Sequence, residues 1–140
     1  MAAIEIDRAL AGSVKSLVRT NGTGRGVGLS SERDAERNRV DWEKVIDYQL
    51  VEWGRDPSVF ADDGLEPPSI DTIALARKVA VVLREHGWES PQRVIPDGEG
   101  GMAFEWADGP VFESVDIGAD GTVEQTVFRD CKLTALHRLL

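Results

Sequence analysis

Few residues in this chain have the type and spacing that chemistry needs. The stretch Pro96 to Pro110 reads PDGEGGMAFEWADGP, and its Gly98-Glu99-Gly100-Gly101 centre raises the question of a phosphate loop. Such a loop aims backbone N–H groups at an anion from the start of a following helix. Here the glycines precede a strand-like run, no Lys-Ser/Thr pair follows, and Asp97 and Glu99 would repel phosphate. The stretch therefore reads as a turn. GTGRGVG, from Gly22 to Gly28, follows no strand and opens onto charge, so it reads as linker. The two histidines, His86 and His137, lie far apart with no second ligand at helical spacing, and no metal site is expected. Asp116 and Asp120 faintly suggest calcium but lack the remaining oxygen ligands. Cys131 has His137 six residues on, poorly aligned for a thiolate pair, and no Gly-x-Ser-x-Gly elbow exists. No cofactor motif remains.

Glu113 is the exception. Strand alternation places it on an apolar sheet face, where an ionised carboxylate needs a partner or a raised pKa. A general acid or base, a rim carboxylate, and a pair with Arg77 or Arg129 all fit that position. Glu105 and Trp106, in the neighbouring strand, are the other residues expected to touch a ligand or partner. Trp53, on a helix, is a fourth candidate contact.

The elements that would position these residues follow from periodicity. Ile6, Leu10, Val14 and Leu17 recur at helical spacing, interrupted by Gly12. Thr20 to Val40 combines glycines with dense charge and reads as a linker, so residues 1–40 are expected to be a weakly helical, partly mobile segment. Residues 41–140 would form a single α+β domain. Asp41 caps a helix reaching Trp53, with Gly54 as its stop. Ser69 caps a second helix, IDTIALARKVAVVLREHG, stopped at Gly87; its stripe of Ile73, Ala76, Ala80 and Leu83 makes it the most buried.

From Arg93 the period becomes two. MAFEWA, PVFESVDI and TVEQTVFR read as three strands joined by Ala-Asp-Gly turns. A two-residue turn at Asp108-Gly109 sets Trp106 opposite Val111, Phe104 opposite Glu113 and Met102 opposite Val115. Met102, Phe104, Trp106, Val111, Val115 and Ile117 then share one face, with Ala103, Glu105, Ser114 and Asp116 on the other. A three-residue turn would reverse this and pair Phe104 with Phe112. At the second turn, a three-residue loop Ala119–Gly121 keeps Val123 and Val127 on the apolar face. CKLTALHRLL suits either a short helix or an edge strand. The expected fold is two to three helices packed on one face of a three- or four-stranded antiparallel meander.

The chain has 140 residues, 41% of them hydrophobic, which suits one domain with a modest core. Its formal net charge of −9 repels a phosphate backbone and disfavours nucleic acid. No apolar run reaches the roughly 18 residues of a spanning helix, and the start lacks the basic residues of a signal peptide. With a single cysteine, the expectation is a cytoplasmic protein without membrane association.

The order of signals from Gly64 onward resembles a group of small bacterial proteins. The motifs that carry the resemblance are Pro67-Pro68-Ser69, the apolar helix to His86, Arg93-Val94-Ile95-Pro96, Gly100-Gly101 through Glu105-Trp106, and the Asp120-Gly121 turn. It covers about half the chain, implies the same helix-and-meander fold, and carries over no activity. The leading functional expectation is a protein-interaction or accessory module, antitoxin-like, without catalysis of its own, acting on a protein partner or by self-association. The alternative is a small-ligand binder or enzyme using a cleft between helices and sheet.

Overall fold

The computed structural model describes residues 8–15, 32–56 and 66–140. Residues 8–15 are helical (α1). Glu32–Glu43 forms α2, continued by a π-helical stretch, Lys44–Gln49, and by α3, Leu50–Arg55; Ile70–Glu85 is α4. Five strands follow: β1 (Arg93–Pro96), β2 (Met102–Asp108), β3 (Val111–Ile117), β4 (Val123–Arg129) and β5 (Lys132–Arg138). They form one antiparallel meander in the order β1-β2-β3-β4-β5. The α+β reading therefore holds, with short β1 and the C-terminal edge strand β5 completing the sheet.

Several boundaries differ from expectation. The helix assigned to start at Asp41 begins at Glu32. Glu32 and Asp34 complement the positive end of α2, and Glu36 pairs with Arg39 one turn on. The charged run is thus a solvated helix face, and Asp41 lies inside the helix near Lys44. Gly54 is likewise internal to α3, which is capped by Asp56. In α1, Leu10 and Val14 are wholly buried in the core. The glycine-rich 22–28 and the loop at 57–65 lie outside the described residues.

α4 follows its signals. Ser69 accepts a hydrogen bond from the Thr72 N–H at 3.1 Å, and Gly87 adopts φ +80° just past the end. Its stripe packs with Trp42, Leu50 and Trp53 onto Met102, Phe104, Trp106, Val115, Ile117 and Val123 of the sheet. Burying each such large side chain stabilises the fold by about 1.5–3 kcal/mol. Trp42 meets Phe104 edge-on at 6.3 Å, and Trp88 meets Trp106 at 5.5 Å. The Trp42 Nε1–H and the Asn38 amide both donate to the Trp88 carbonyl, while Asn38 Oδ1 accepts from the Ser90 N–H. α2 is thereby clamped to the connection that launches β1.

The turns set the register. The β2–β3 turn is Gly109-Pro110, not Asp108-Gly109: Asp108 pairs with Val111, Trp106 with Glu113, Phe104 with Val115 and Met102 with Ile117. Gly109 has φ +58° and Pro110 supplies a fixed negative φ, the pattern of a type II′ turn. The pairing moves by two residues, an even number, so every face assignment survives. At the next turn Gly118 pairs through its N–H with the Thr122 carbonyl, leaving the expected loop Ala119–Gly121. In GEGG, the Asp97 carboxylate accepts from the Glu99 and Gly101 N–H groups, closing a turn. A Cβ on Gly101 would run into that carboxylate and sit 2.6 Å from the Ile117 carbonyl oxygen, which explains the glycine.

Candidate functional site

The register lays out both sheet faces residue by residue. On the inner face, under the helices, Trp106 is wholly buried and its Nε1–H donates to the Glu89 carbonyl at 2.9 Å. Glu113, directly opposite, is only 5% exposed and accepts from Gln125 Nε2 at 2.7 Å. The expected opposition of Glu113 to Phe104 is thus replaced by opposition to Trp106, because the turn lies one residue further on. Arg77, offered as a partner for Glu113, instead donates through Nε to the Ile46 carbonyl at 3.2 Å, with Asp47 at 3.9 Å. Gln125 is fully buried, and among the described residues its Oε1 has no hydrogen-bond partner. His137 stands opposite Gln125 on β5.

Glu105 lies on the outer face, beside Arg93 at 3.8 Å. Trp53 is buried in the helical layer. Of the four candidate contacts, the structure brings together only Trp106 and Glu113, and both are in the interior. Cys131 and His137 sit near opposite ends of β5, Cys131 in the exposed β4–β5 turn with φ +66°. His86 bonds through Nδ1 to the Val82 carbonyl, a helix-end role.

The outer face carries what the sequence reading passed over. Arranged by register, one row across the sheet is Ala107, Phe112, Phe128 and Leu133. The middle row is Arg93, Glu105, Ser114, Thr126 and Leu136, and the last is Ile95, Ala103, Asp116, Glu124 and Arg138. Phe112 and Phe128 meet with centroids 6.2 Å apart. Leu133 and, in the adjacent row, Leu136 are 54% and 55% exposed, and among the described residues no element packs over them. The Phe128/Leu133 pairing is set by a bulge between Val127 and Phe128, which brings both leucines onto the outer face. Strand alternation in VFESV and TVFRDCKL is the one local signal of this surface, and alternation does not say which face the helices cover.

The opposite end of the same face is acidic. Asp116 stands directly across from Glu124, and burial, then the Glu124 and Asp97 charges, push its carboxyl above the ordinary aspartate value, while a hydrogen bond from Ser114 opposes them. Ser114 Oγ lies 3.0 Å from Asp116 and 2.7 Å from Thr126 Oγ1. Since the single serine proton goes to the carboxylate, Thr126 must donate to Ser114, giving a relay that points at Asp116. Asp120 behaves oppositely: hydrogen bonds from the Thr122 hydroxyl and N–H lower its pKa.

A separate groove of about 660 Å³ runs between α1, the π-helical stretch and α4, with Arg8, Ile46, Arg77 and Val81 among its walls. None of Glu105, Trp106, Glu113 or Trp53 lines it. Among the described residues no group of three His, Cys, Asp or Glu is placed to hold a metal ion, and no helix is long and apolar enough to cross a membrane. Compared with protein-family models, with curated proteins and with solved structures, the chain finds no match in any of the three.

Proposed function

We propose that this chain is a protein-interaction module, an accessory component without catalysis of its own, and that its contact surface is the outer face of the sheet. One observation carries the reading: polarity is inverted at the β3–β5 end. There the covered face holds a carboxylate and an amide, Glu113 and Gln125, beside Val115 and Val127, while the face over which no described element packs holds Phe112, Phe128, Leu133 and Leu136. A sheet face meant only for water would place these the other way round. A contiguous exposed apolar patch with a polar border is the signature of a docking surface. Trp53 and Trp106, being buried, support the fold rather than an interface.

The test uses tagged full-length protein isolated from its native host, as wild type and as Leu133→Glu/Leu136→Glu. A stoichiometric partner retained by the wild type and lost by the variant, with melting temperature unchanged, is the expected result. Equal retention by both would exclude this face. A small-ligand reading has one feature in its favour, the groove between α1 and α4. It predicts a co-purifying small molecule displaced by Val81→Trp, which the interaction reading does not.

A further inference from the structure

Building on the interaction reading of the outer face, we infer that the partner is a second protein presenting a cationic segment. An apolar anchor of that segment would rest on Phe112, Phe128 and Leu133, and a Lys or Arg side chain further along would reach Asp116 and Glu124. The spacing follows from the strand. Phe128 and Glu124 are four residues apart on β4, about 13 Å at the rise of an extended chain. The partner thus places anchor and cation about four residues apart if it is extended, or about nine if it is helical.

Charge determines the chemistry. Like charges directly opposite on neighbouring strands are unfavourable, yet Asp116 faces Glu124 with Asp97 adding to the same negative field. The hydroxyl relay from Thr126 through Ser114 ends on Asp116 and so favours its anionic form. Arg138 stands opposite Glu124 in the same row and its charge reaches Asp120, while its Nε donates to the Leu140 carbonyl at 3.5 Å; Asp97, Asp116 and Glu124 still outnumber it. A cation brought by the partner removes the repulsion between the two carboxylates and is drawn in by a chain of net charge −9.

A second copy of this chain suits the surface less well. Antiparallel pairing of two β5 edges about Ala135 would set Lys132 against Arg138 of the copy, cation against cation at both ends.

The probe is a synthetic amphipathic Leu/Lys helix long enough to span the face, compared with Leu/Gln and Leu/Glu counterparts, on the full-length protein. The Leu/Lys peptide should bind saturably, move the amide resonances of Phe112 and Phe128, and lose affinity as salt rises. Asp116→Asn/Glu124→Gln should weaken it about fivefold or more, whereas Glu32→Gln/Asp34→Asn, which removes the same charge from α2, should change it less than about twofold. Equal losses in the two variants would reduce the effect to net charge and overturn the inference. So would equal binding of the Leu/Glu peptide, no saturable binding, or a wild-type dimer dissociated by Leu133→Glu. If a native partner is lost with Leu133→Glu/Leu136→Glu but indifferent to Asp116→Asn/Glu124→Gln, only the cation is wrong. Indifference to the leucine changes removes the docking face itself.

Discussion

The two faces of one sheet are built from alternate residues of the same strands and meet opposite fates. On the inner face, Phe104 is wholly buried against Trp42, and Trp106 against Trp88. On the outer face, Phe112 and Phe128 meet each other beside Ala107 and Leu133 and stay half-buried, with no described element packed over them. Alternation alone says which residues share a face, but not which face the helices cover. Covering is decided by tertiary packing, and here both faces are apolar enough to be covered.

The sharpest way to break this comparison is to truncate one aromatic on each side. Phe104→Ala leaves a cavity among helices and sheet, and should cost about 3–5 kcal/mol in urea unfolding. Phe128→Ala loses one ring contact at a half-open position and should cost about 0.5–1.5 kcal/mol. Similar costs for both would mean that the outer row is as enclosed as the inner one, and the docking reading would lose its basis.

A second contrast concerns polar groups. Gln125→Ala removes the amide that donates to the buried Glu113 carboxylate, and should cost about 1–3 kcal/mol. Ser114→Ala on the outer face removes a hydroxyl between Thr126 and Asp116, both of which can turn to water, and should cost about 1 kcal/mol or less. Equilibrium unfolding of the two variants orders them directly; the reverse order would place the enclosed polar network on the outer face.

Much of the fold was legible because its signals are local. Ser69, Gly87, the Ala119–Gly121 loop and the period-two run each act within a few residues. The first hairpin turns one position later than expected because Asp-Gly and Gly-Pro are both good turn pairs; only Pro110, which fixes its own φ after a left-handed Gly109, decides between them. The stretch of α2 before Asp41 resembles a linker because it is a charged run without apolar periodicity, and its ion pairs become visible only once it is helical. The outer surface was less legible still. Phe112, Phe128, Leu133 and Leu136 are separated in sequence by turns and a bulge, and come together on one face, in two adjacent rows, only through register.

The GEGG turn permits a simple check at the acidic end. The Asp97 carboxylate already occupies the Glu99 and Gly101 N–H groups that a phosphate would need. Millimolar ATP, NAD or inorganic phosphate should leave the melting temperature unchanged, since a ligand that binds the folded state must raise it. A reproducible rise would reopen the phosphate-loop reading.

The smallest expected effect separates two aspartates four residues apart. Asp116 has a pKa raised by burial and by its carboxylate neighbours, so the folded state binds its proton more tightly than the unfolded chain does. At neutral pH the ionised Asp116 therefore disfavours folding. Asp116→Asn should raise the melting temperature there, modestly, because the carboxylate, although partly desolvated by its neighbours, is still reached by water and salt. As pH falls through the raised folded-state value toward 3.8, the wild type takes up the proton and the advantage of the asparagine disappears. Asp120 has its pKa lowered by Thr122, so its stabilising contribution is present at neutral pH and is lost as pH falls below the ordinary value and through the folded one. Asp120→Asn should accordingly lower the melting temperature at neutral pH and become indifferent in acid. Opposite signs for the two substitutions at neutral pH, both shrinking on acidification, would show that Asp116 is held on the outer face at a cost to folding. A residue that destabilises the free protein while its removal weakens binding of a cationic partner is what a functional surface predicts and a merely solvated one does not. Equal, negligible effects at both positions would leave the acidic row as ordinary surface charge.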